Sequence, residues 1–194
     1  MGARTNTRQK MLCGAIELLG ERGAAGVTVD AVLARSGAPR GSVYHHFPGG
    51  RAEIMTESLT LAGDAISALI TEAADRGALG VLAGIAEFWT ATLLASDFEA
   101  GCPVVSVAVG GSPEDRPLQS EVADILHRWH DTLTIAITAE GVAPARAARL
   151  ATMAIAGVEG AVILCRVDRS TAPLDAVVDE LRVLLATAVD NVDQ

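Results

Sequence analysis

Hydrophobic residues recur every three to four positions along most of this chain, which is the period of an amphipathic helix. In the first such segment, residues 7–22, Leu12, Ile16 and Leu19 share one face. No stretch shows the strict alternation, bounded by turn residues, that is typical of paired strands. The pattern therefore predicts an all-α protein.

Glycine and proline divide the rest of the chain into further helices. After Gly23, Thr28 is the expected N-cap of a short helix that ends near Arg35. Pro39 fits the first turn of another short helix, which ends near His46. We expect the remaining helices at residues 51–75, 77–97, 103–110, 114–139, 144–168 and 173–190. The chain is thus predicted to have about nine helices.

Charge is distributed unevenly along the 194 residues. The net charge is -9, yet residues 1–51 carry seven basic and three acidic residues, whereas residues 52–194 carry eight basic and twenty-one acidic ones. Such asymmetry indicates a basic part that faces a polyanion and an acidic part that faces solvent. It also supports two domains, at residues 1–50 and 51–194.

Cysteine usage and segment lengths indicate a soluble, cytoplasmic protein without a membrane partner. Cys13, Cys102 and Cys165 form no CxxC pair, which is typical of reduced cytosolic thiols. The basic N-terminus lacks the features of a signal peptide. The longest uncharged run, Ala100 to Pro113, has fourteen residues and is interrupted by glycine and proline, so it is too short to span a bilayer.

Two short helices joined by a glycine-containing turn, behind a longer first helix, form the helix-turn-helix pattern. Gly37 allows the turn, and Val43 and Phe47 are the expected inward anchors of the second short helix. Arg40 can form a bidentate contact with guanine or with phosphate. The residues expected to contact DNA are Thr28, Pro39, Arg40, Gly41, Ser42, Tyr44, His45 and Arg51.

The run from Met11 to Phe47 resembles the TetR family of one-component repressors. The matching residues are Leu12, Ala15, Glu17-Leu18, Glu21-Arg22-Gly23, Thr28-Val29, Arg35, Gly37 and Gly41-Ser42-Val43-Tyr44-His45-His46-Phe47. Pro39 departs from the family pattern, because a serine or threonine usually begins the recognition helix. The resemblance implies an N-terminal three-helix DNA-binding domain and a C-terminal helical domain for ligand binding and dimerisation.

Two shorter runs, Phe47-Pro48-Gly49-Gly50-Arg51 and Gly101-Cys102-Pro103, resemble a drug- and flavonoid-responsive subgroup of that family. This resemblance implies a small, apolar or aromatic effector. Aromatic residues gathered in the middle helices favour a pocket for a flat ligand, with ordinary core as an equally weighted alternative. The expected ligand-binding residues are Phe88, Trp89, Phe98, Cys102, Trp129, His130 and Met153.

The last two helices carry long apolar stripes. The family resemblance implies a four-helix dimer bundle, although such a stripe is also typical of internal core. The expected interface residues are Ala151, Ala154, Val158, Ala161, Val162, Leu181 and Leu185.

No enzyme, metal or cofactor motif is recognisable in the sequence. Asp124, His127, His130 and Asp131 fall on one helix, and we interpret them as solvated or pocket-lining residues rather than as metal ligands.

The sequence therefore predicts a homodimeric repressor that a small effector releases from a pseudo-palindromic operator in double-stranded DNA. Three alternatives stay open at this stage. They are a small-molecule binding protein that does not bind DNA, an activator or corepressor-dependent regulator, and a cofactor-independent enzyme with His127 or His130 as its base.

Overall fold

A computed structural model describes residues 2–110 and 113–190, with side chains from residue 7 onward. All secondary structure in these residues is helical, which confirms the predicted fold class. The α-helices are α1 (Gly2–Gly26), α2 (Val29–Ser36), α3 (Val43–His46), α4 (Gly50–Ala74), α5 (Gly77–Ala95), α6 (Pro103–Val109), α7 (Leu118–Ala139), α8 (Pro144–Asp168) and α9 (Ala172–Asp190). Short 3₁₀ turns occupy Arg40–Ser42 and Pro113–Asp115.

The first helix is interrupted close to its predicted end. Gly23 has φ 70° and ψ -178° inside α1, a conformation that side-chain-bearing residues rarely adopt. The regular helix therefore stops at Arg22, and the residues up to Gly26 form a separate turn before α2.

The contacts divide the chain into two compact units. The N-terminal unit comprises residues 1–64 and 101–125, and the C-terminal unit comprises residues 65–100 and 126–194. This division differs from the expected boundary at residue 50, because residues 101–125, which include α6 packed against α1, belong with the N-terminal helices. Both α4 and α7 run from one unit into the other.

In the N-terminal unit, α1 packs against α2 and α6. The Gly101 N–H donates a hydrogen bond to the Gly20 carbonyl at 3.0 Å. A Cβ atom on Gly20 would lie 2.6 Å from the Gly101 oxygen. Glycine is therefore required at position 20 for the backbones to approach so closely, which outweighs its weak helix propensity.

The C-terminal unit is built on contacts among α5, α8 and α9. The α8 and α9 helices approach closely at Gly157, whose added Cβ would lie 3.2 Å from Val177 Cγ1. The start of α5 is held by Glu140, which accepts a hydrogen bond from the Ala78 N–H at 2.6 Å. Such a carboxylate satisfies a backbone donor that the helix itself leaves free.

Two helices of this unit, α5 and α8, are long and apolar enough to cross a membrane by length and composition alone. Neither helix forms a long uncharged run in the sequence, because isolated charges interrupt both. Core helices of soluble proteins share this property, and α5 and α8 pack against α9 and each other. Their hydropathy alone therefore does not indicate a membrane protein.

Candidate DNA-binding surface and ligand cavity

The predicted helix-turn-helix is formed by α2, α3 and the 3₁₀ turn that precedes α3. Thr28 caps α2 as predicted, and its Oγ1 accepts a hydrogen bond from the Ala31 N–H at 3.1 Å. Gly37 ends α2 in the left-handed conformation with φ 65°. Pro39 is extended and precedes the turn Arg40–Ser42 rather than lying inside the helix.

One face of the second short helix is packed in the core, and the opposite face is exposed to solvent. Val43 and Phe47 are completely buried, whereas the Tyr44 side chain beside them is 67% exposed. The other predicted DNA contacts, apart from Ser42 and Arg51, are also exposed, namely Thr28, Pro39, Arg40, Gly41 and His45. This surface therefore presents polar and basic groups on a rigidly anchored backbone.

Ser42 differs from its neighbours in being half-buried. Its hydroxyl donates a hydrogen bond to the Pro39 carbonyl at 2.5 Å. The hydroxyl proton is therefore used to stabilise the turn, and the predicted donation to phosphate would require this bond to break.

Three basic residues of the N-terminal segment are engaged within the protein. Arg8 pairs with Glu57 and lies over the Phe47 ring at 4.7 Å. Arg35 pairs with Glu21 and Glu17, and these carboxylates raise the pKa of its guanidinium. Arg51, the third, lies in the first turn of α4 and is paired with Asp115.

The prediction that Arg51 contacts a phosphate is not supported by its position. Its Nη1 donates to Asp115 Oδ1 at 2.7 Å, while Nε and Nη2 donate to the carbonyls of Val27 and Ala24. Because Asp115 is buried, this pair is structural. Among the basic side chains that the structure describes up to residue 51, Lys10, Arg22 and Arg40 are exposed and outside these ion pairs.

A cavity lies within the C-terminal unit, with a volume of about 580 Å³ that includes the solvent at its mouth. Helices α4, α5, α7, α8 and α9 contribute to its wall. The lining residues are Ile66, Ile70, Ala78, Val81, Leu82, Ile85, Trp89, Trp129, Leu133, Ile137, Ala154, Ile155, Val158, Glu159 and Leu185. A partly open apolar cavity of this kind is typical of small-molecule sites.

The two tryptophans are the expected ligand-binding residues that line this cavity. Both are almost completely buried. The Trp129 Nε1–H donates a hydrogen bond to Ser67 Oγ at 3.0 Å. Phe88 packs edge-on against Trp89, with ring centroids 5.1 Å apart.

The other expected ligand-binding residues lie outside the cavity wall. Met153 is 52% exposed on α8, and Phe98 lies in the connection after α5. His130 is half-buried, with Nε2 3.1 Å from the Ala148 carbonyl. Cys102 is buried in the N-terminal unit.

Sequence reasoning missed two acidic residues. Asp115 has no local sequence signal, because its partner Arg51 is sixty-four residues away. Glu159 could have been found from the sequence, since it is the one acidic residue within α8 before Asp168. An acidic residue isolated in an apolar helix indicates a site where that charge has a specific environment.

The residues expected at the dimer interface are not exposed in a single chain. All seven are buried inside a single chain, and these residues are Ala151, Ala154, Val158, Ala161, Val162, Leu181 and Leu185. Their burial within one chain is the property expected of the internal-core alternative. Three of them, Ala154, Val158 and Leu185, also line the cavity.

Family models match both parts of the chain. Residues 12–57 match the model "Bacterial regulatory proteins, tetR family", and residues 78–180 match "Transcriptional regulator LmrA/YxaF-like, C-terminal domain". The chain is 41% identical over 183 residues to an uncharacterized HTH-type transcriptional regulator, Rv0196, of Mycobacterium tuberculosis. That match covers 92% of this chain and 93% of the relative.

Solved structures share the fold. Regulatory protein TetR from Rhodobacter sphaeroides superposes with a TM-score of 0.78 at 22% identity, covering 89% of this chain and 95% of that one. A cysteine mutant of the TetR family regulator CifR, in complex with a 26-base-pair operator duplex, gives a TM-score of 0.70 at 20% identity. It covers 89% of this chain and 93% of the other. With the family matches and the helix-turn-helix geometry, these findings show that the chain belongs to the TetR family of bacterial transcriptional regulators.

Proposed function

We propose that this regulator is a homodimeric repressor that leaves its operator when a small molecule binds in the C-terminal unit. The observation that carries the proposal is the contrast between completely buried Val43 and Phe47 and exposed Tyr44 on one short helix. Such a helix can enter a major groove without rearrangement, because its packing is independent of its outer face.

The exposed residues of this helix-turn-helix divide into two roles. Arg40 begins the turn before α3 beside Gly41, where an added Cβ would meet no atom within 4 Å. We assign Arg40 to a guanine edge, since its planar guanidinium matches the two acceptors there. Tyr44, His45 and Thr28 are assigned to phosphates, which position the domain without reading sequence.

The dimer surface that we propose is the outer face of α8 and α9. Met153, Leu164 and Val167 recur on α8 at helical spacing and are 52%, 52% and 75% exposed in one chain. Ile163 and Val183 add further exposed apolar area on the two helices. A second copy of the chain would bury this face by a twofold contact, as is usual for dimers.

Two copies bring two recognition helices to one duplex. Their half-sites should lie about 34–36 Å apart, or a multiple of that distance, on a pseudo-palindromic operator. The CifR mutant, which has the same fold, is in complex with a 26-base-pair operator duplex, and this supports duplex DNA as the partner proposed here.

The cavity is the proposed effector site, and α4 is the proposed connection. This helix begins in the N-terminal unit and ends in the C-terminal unit, where Ile66 and Ile70 line the cavity. An effector that binds one arrangement of α4 more tightly shifts the population toward it. A coupling of about 1–3 kcal/mol is typical of such regulators.

We further propose that the protein acts in the cytoplasm and belongs to the drug- and flavonoid-responsive subgroup. The runs Phe47–Arg51 and Gly101–Pro103 and the LmrA/YxaF-like C-terminal match support the subgroup. Binding to genomic DNA requires a cytoplasmic location in a bacterium.

A gel-shift titration against DNA flanking the coding sequence, at two salt concentrations, tests the proposal. We expect saturable binding to one fragment that survives competitor DNA and weakens as salt rises. If no flanking fragment shifts and a genome-wide selection also recovers no site, the DNA-binding proposal is overturned.

A further inference from the structure

The turn between α1 and α2 is held by one side chain of α4. It follows Gly23, which has φ 70°. Within it, the Val27 N–H donates a hydrogen bond to the Ala24 carbonyl at 3.2 Å. Arg51 Nη2 donates to that same Ala24 carbonyl at 2.8 Å, and Arg51 Nε donates to the Val27 carbonyl at 2.7 Å. Arg51 therefore fixes both ends of the turn.

The contact with Val27 also sets the direction of the first groups of α2. The Val27 carbonyl and the Thr28 N–H belong to one planar, trans peptide unit, so they point in opposite directions. With the carbonyl held by Arg51, the Thr28 N–H points away from that guanidinium. Thr28 is exposed, and its Oγ1 accepts from the Ala31 N–H, which leaves the hydroxyl proton available for donation. A phosphate at the start of α2 could accept from both groups.

Asp115 keeps the Arg51 guanidinium in this orientation. Its carboxylate is buried, and its two oxygens lie 2.7 Å from Nη1 and 3.4 Å from Nη2. A guanidinium is planar, and the directions of its donors are fixed relative to one another. The carboxylate that holds Nη1 therefore also sets where Nε and Nη2 point, and these are the donors that hold the turn.

We propose that Asp115 is a positioning residue for DNA binding. Acting through Arg51, it holds the Val27–Thr28 peptide so that the Thr28 hydroxyl and N–H can reach one phosphate of the operator. This inference rests on the proposed DNA-binding function and adds to it a residue outside the helix-turn-helix. It also predicts an unexpected sign. Removal of an acidic charge ordinarily strengthens binding to a polyanion, whereas removal of this one should weaken it.

The main test uses Asp115→Asn, which keeps the shape of the side chain and removes its charge. Fluorescence anisotropy measures binding of the full-length protein to the operator duplex found by gel shift or genome-wide selection, and to a scrambled duplex, at two salt concentrations. We expect about three- to tenfold weaker binding to both duplexes, as the loss of one or two hydrogen bonds provides. The salt dependence should not change, because the lost donors are uncharged.

Two controls accompany this variant. A circular dichroism melt verifies that it is folded at the assay temperature. Glu114→Gln makes the same acid-to-amide change at the exposed neighbouring residue and should not weaken binding.

A double-mutant cycle separates positioning from a general loss of stability. In a Thr28→Ala background, Asp115→Asn should weaken binding by only about twofold or less, because the contact that it positions has already been weakened. In a Tyr44→Phe background its effect should be undiminished, since Tyr44 lies on α3 rather than at the start of α2.

Arg51→Lys is a second, independent variant. It keeps the positive charge but lacks the planar set of donors that holds the two carbonyls and Asp115 together. We expect weaker binding to both duplexes despite the retained charge. Wild-type affinity for this variant would overturn the inference, even if Asp115→Asn did not fold.

The remaining outcomes distinguish this inference from the proposed function. If folded Asp115→Asn binds the operator as tightly as wild type or more tightly, the inference is overturned while the DNA-binding proposal stands. The same holds if its effect is fully additive with that of Thr28→Ala. If the wild-type protein binds no duplex, both are overturned.

Discussion

The guanidinium of Arg51 and the buried carboxylate of Asp115 form an ion pair, with Nη1 and Oδ1 2.7 Å apart. The same guanidinium donates to the carbonyls of Ala24 and Val27, at 2.8 and 2.7 Å. These carbonyls flank the turn that Gly23 starts. One side chain therefore joins the end of α1, the start of α4 and the segment before α7.

Asp115→Ala should lower the stability of the protein. The substitution leaves the Arg51 guanidinium without its buried partner, and we expect a loss of about 2–4 kcal/mol in the free energy of unfolding, below the value for a fully buried pair because Arg51 is partly exposed. Urea denaturation followed by circular dichroism measures it.

The neighbouring exposed residue Glu114 supplies the control, because Glu114→Ala should leave the unfolding free energy unchanged. A wild-type urea midpoint for Asp115→Ala would show that the pair contributes nothing to stability.

Arg40→Ala should relax operator specificity. Loss of a bidentate contact with guanine costs about 1–3 kcal/mol at the cognate site and little at unrelated sequences. Fluorescence anisotropy with operator and scrambled duplexes measures both affinities. Arg146→Ala, an exposed arginine on α8, has the same charge change and should bind as wild type. An equal loss on both duplexes, with a shallower salt dependence, would instead assign Arg40 to phosphate.

Tyr44→Phe should weaken binding to all duplexes alike. The change removes one hydroxyl donor to phosphate, and we expect a loss of about 0.5–1.5 kcal/mol without a change in base preference. Because the Tyr44 ring is mostly exposed, protein stability should not change. A thermal melt of the variant verifies this, and unchanged affinity would remove Tyr44 from the DNA contacts.

Gly20→Ala should destabilise the protein even though alanine favours helices. The new Cβ would lie 2.6 Å from the Gly101 carbonyl oxygen, which is backbone and moves only with its segment. We expect a net loss of about 1–3 kcal/mol in urea denaturation, as for other overpacked sites. Gly41→Ala, which meets no atom within 4 Å, is the comparison and should unfold like wild type.

Leu164→Asp should convert the protein to monomers. A charge at the centre of the proposed dimer face cannot be buried against the same face of a second copy. Sedimentation equilibrium should give twice the 20.0 kDa of one chain for wild type and a single chain for the variant. Ile135→Asp, at an apolar residue of α7 that is more exposed than Leu164 (69% against 52%), should stay dimeric. A dimeric Leu164→Asp protein would place the interface elsewhere.

Sequence patterns predicted the helices well, because the residues that begin and end a helix lie within a few positions of its ends. The N-cap at Thr28 and the turn at Gly37 depend on residues within a few positions, so the sequence contains what determines them. The same locality explains why the ends of α4 and α8 were predicted within a residue.

The site was less predictable because its determinants are distant in sequence. The spacing of apolar residues indicates which face of a helix is buried. It does not indicate whether the surface that covers this face belongs to the same chain or to a second copy. Ala151 and Leu164 both lie on apolar stripes of α8, yet Ala151 is buried inside one chain and Leu164 is exposed. Likewise, no residue close to Arg51 in the sequence indicates that Asp115 is its partner.

The discontinuous N-terminal unit affects how this regulator could be recombined with others. A chimaera joined at residue 50 would carry the recognition helix but leave behind Arg51, the Gly101 contact and α6. The donor's α1 would then meet a foreign surface where it normally packs on its own chain. Exchange of DNA specificity in this protein therefore requires three crossovers, near residues 64, 100 and 125, so that residues 101–125 are transferred together with residues 1–64. The alternative is to replace the exposed recognition residues alone.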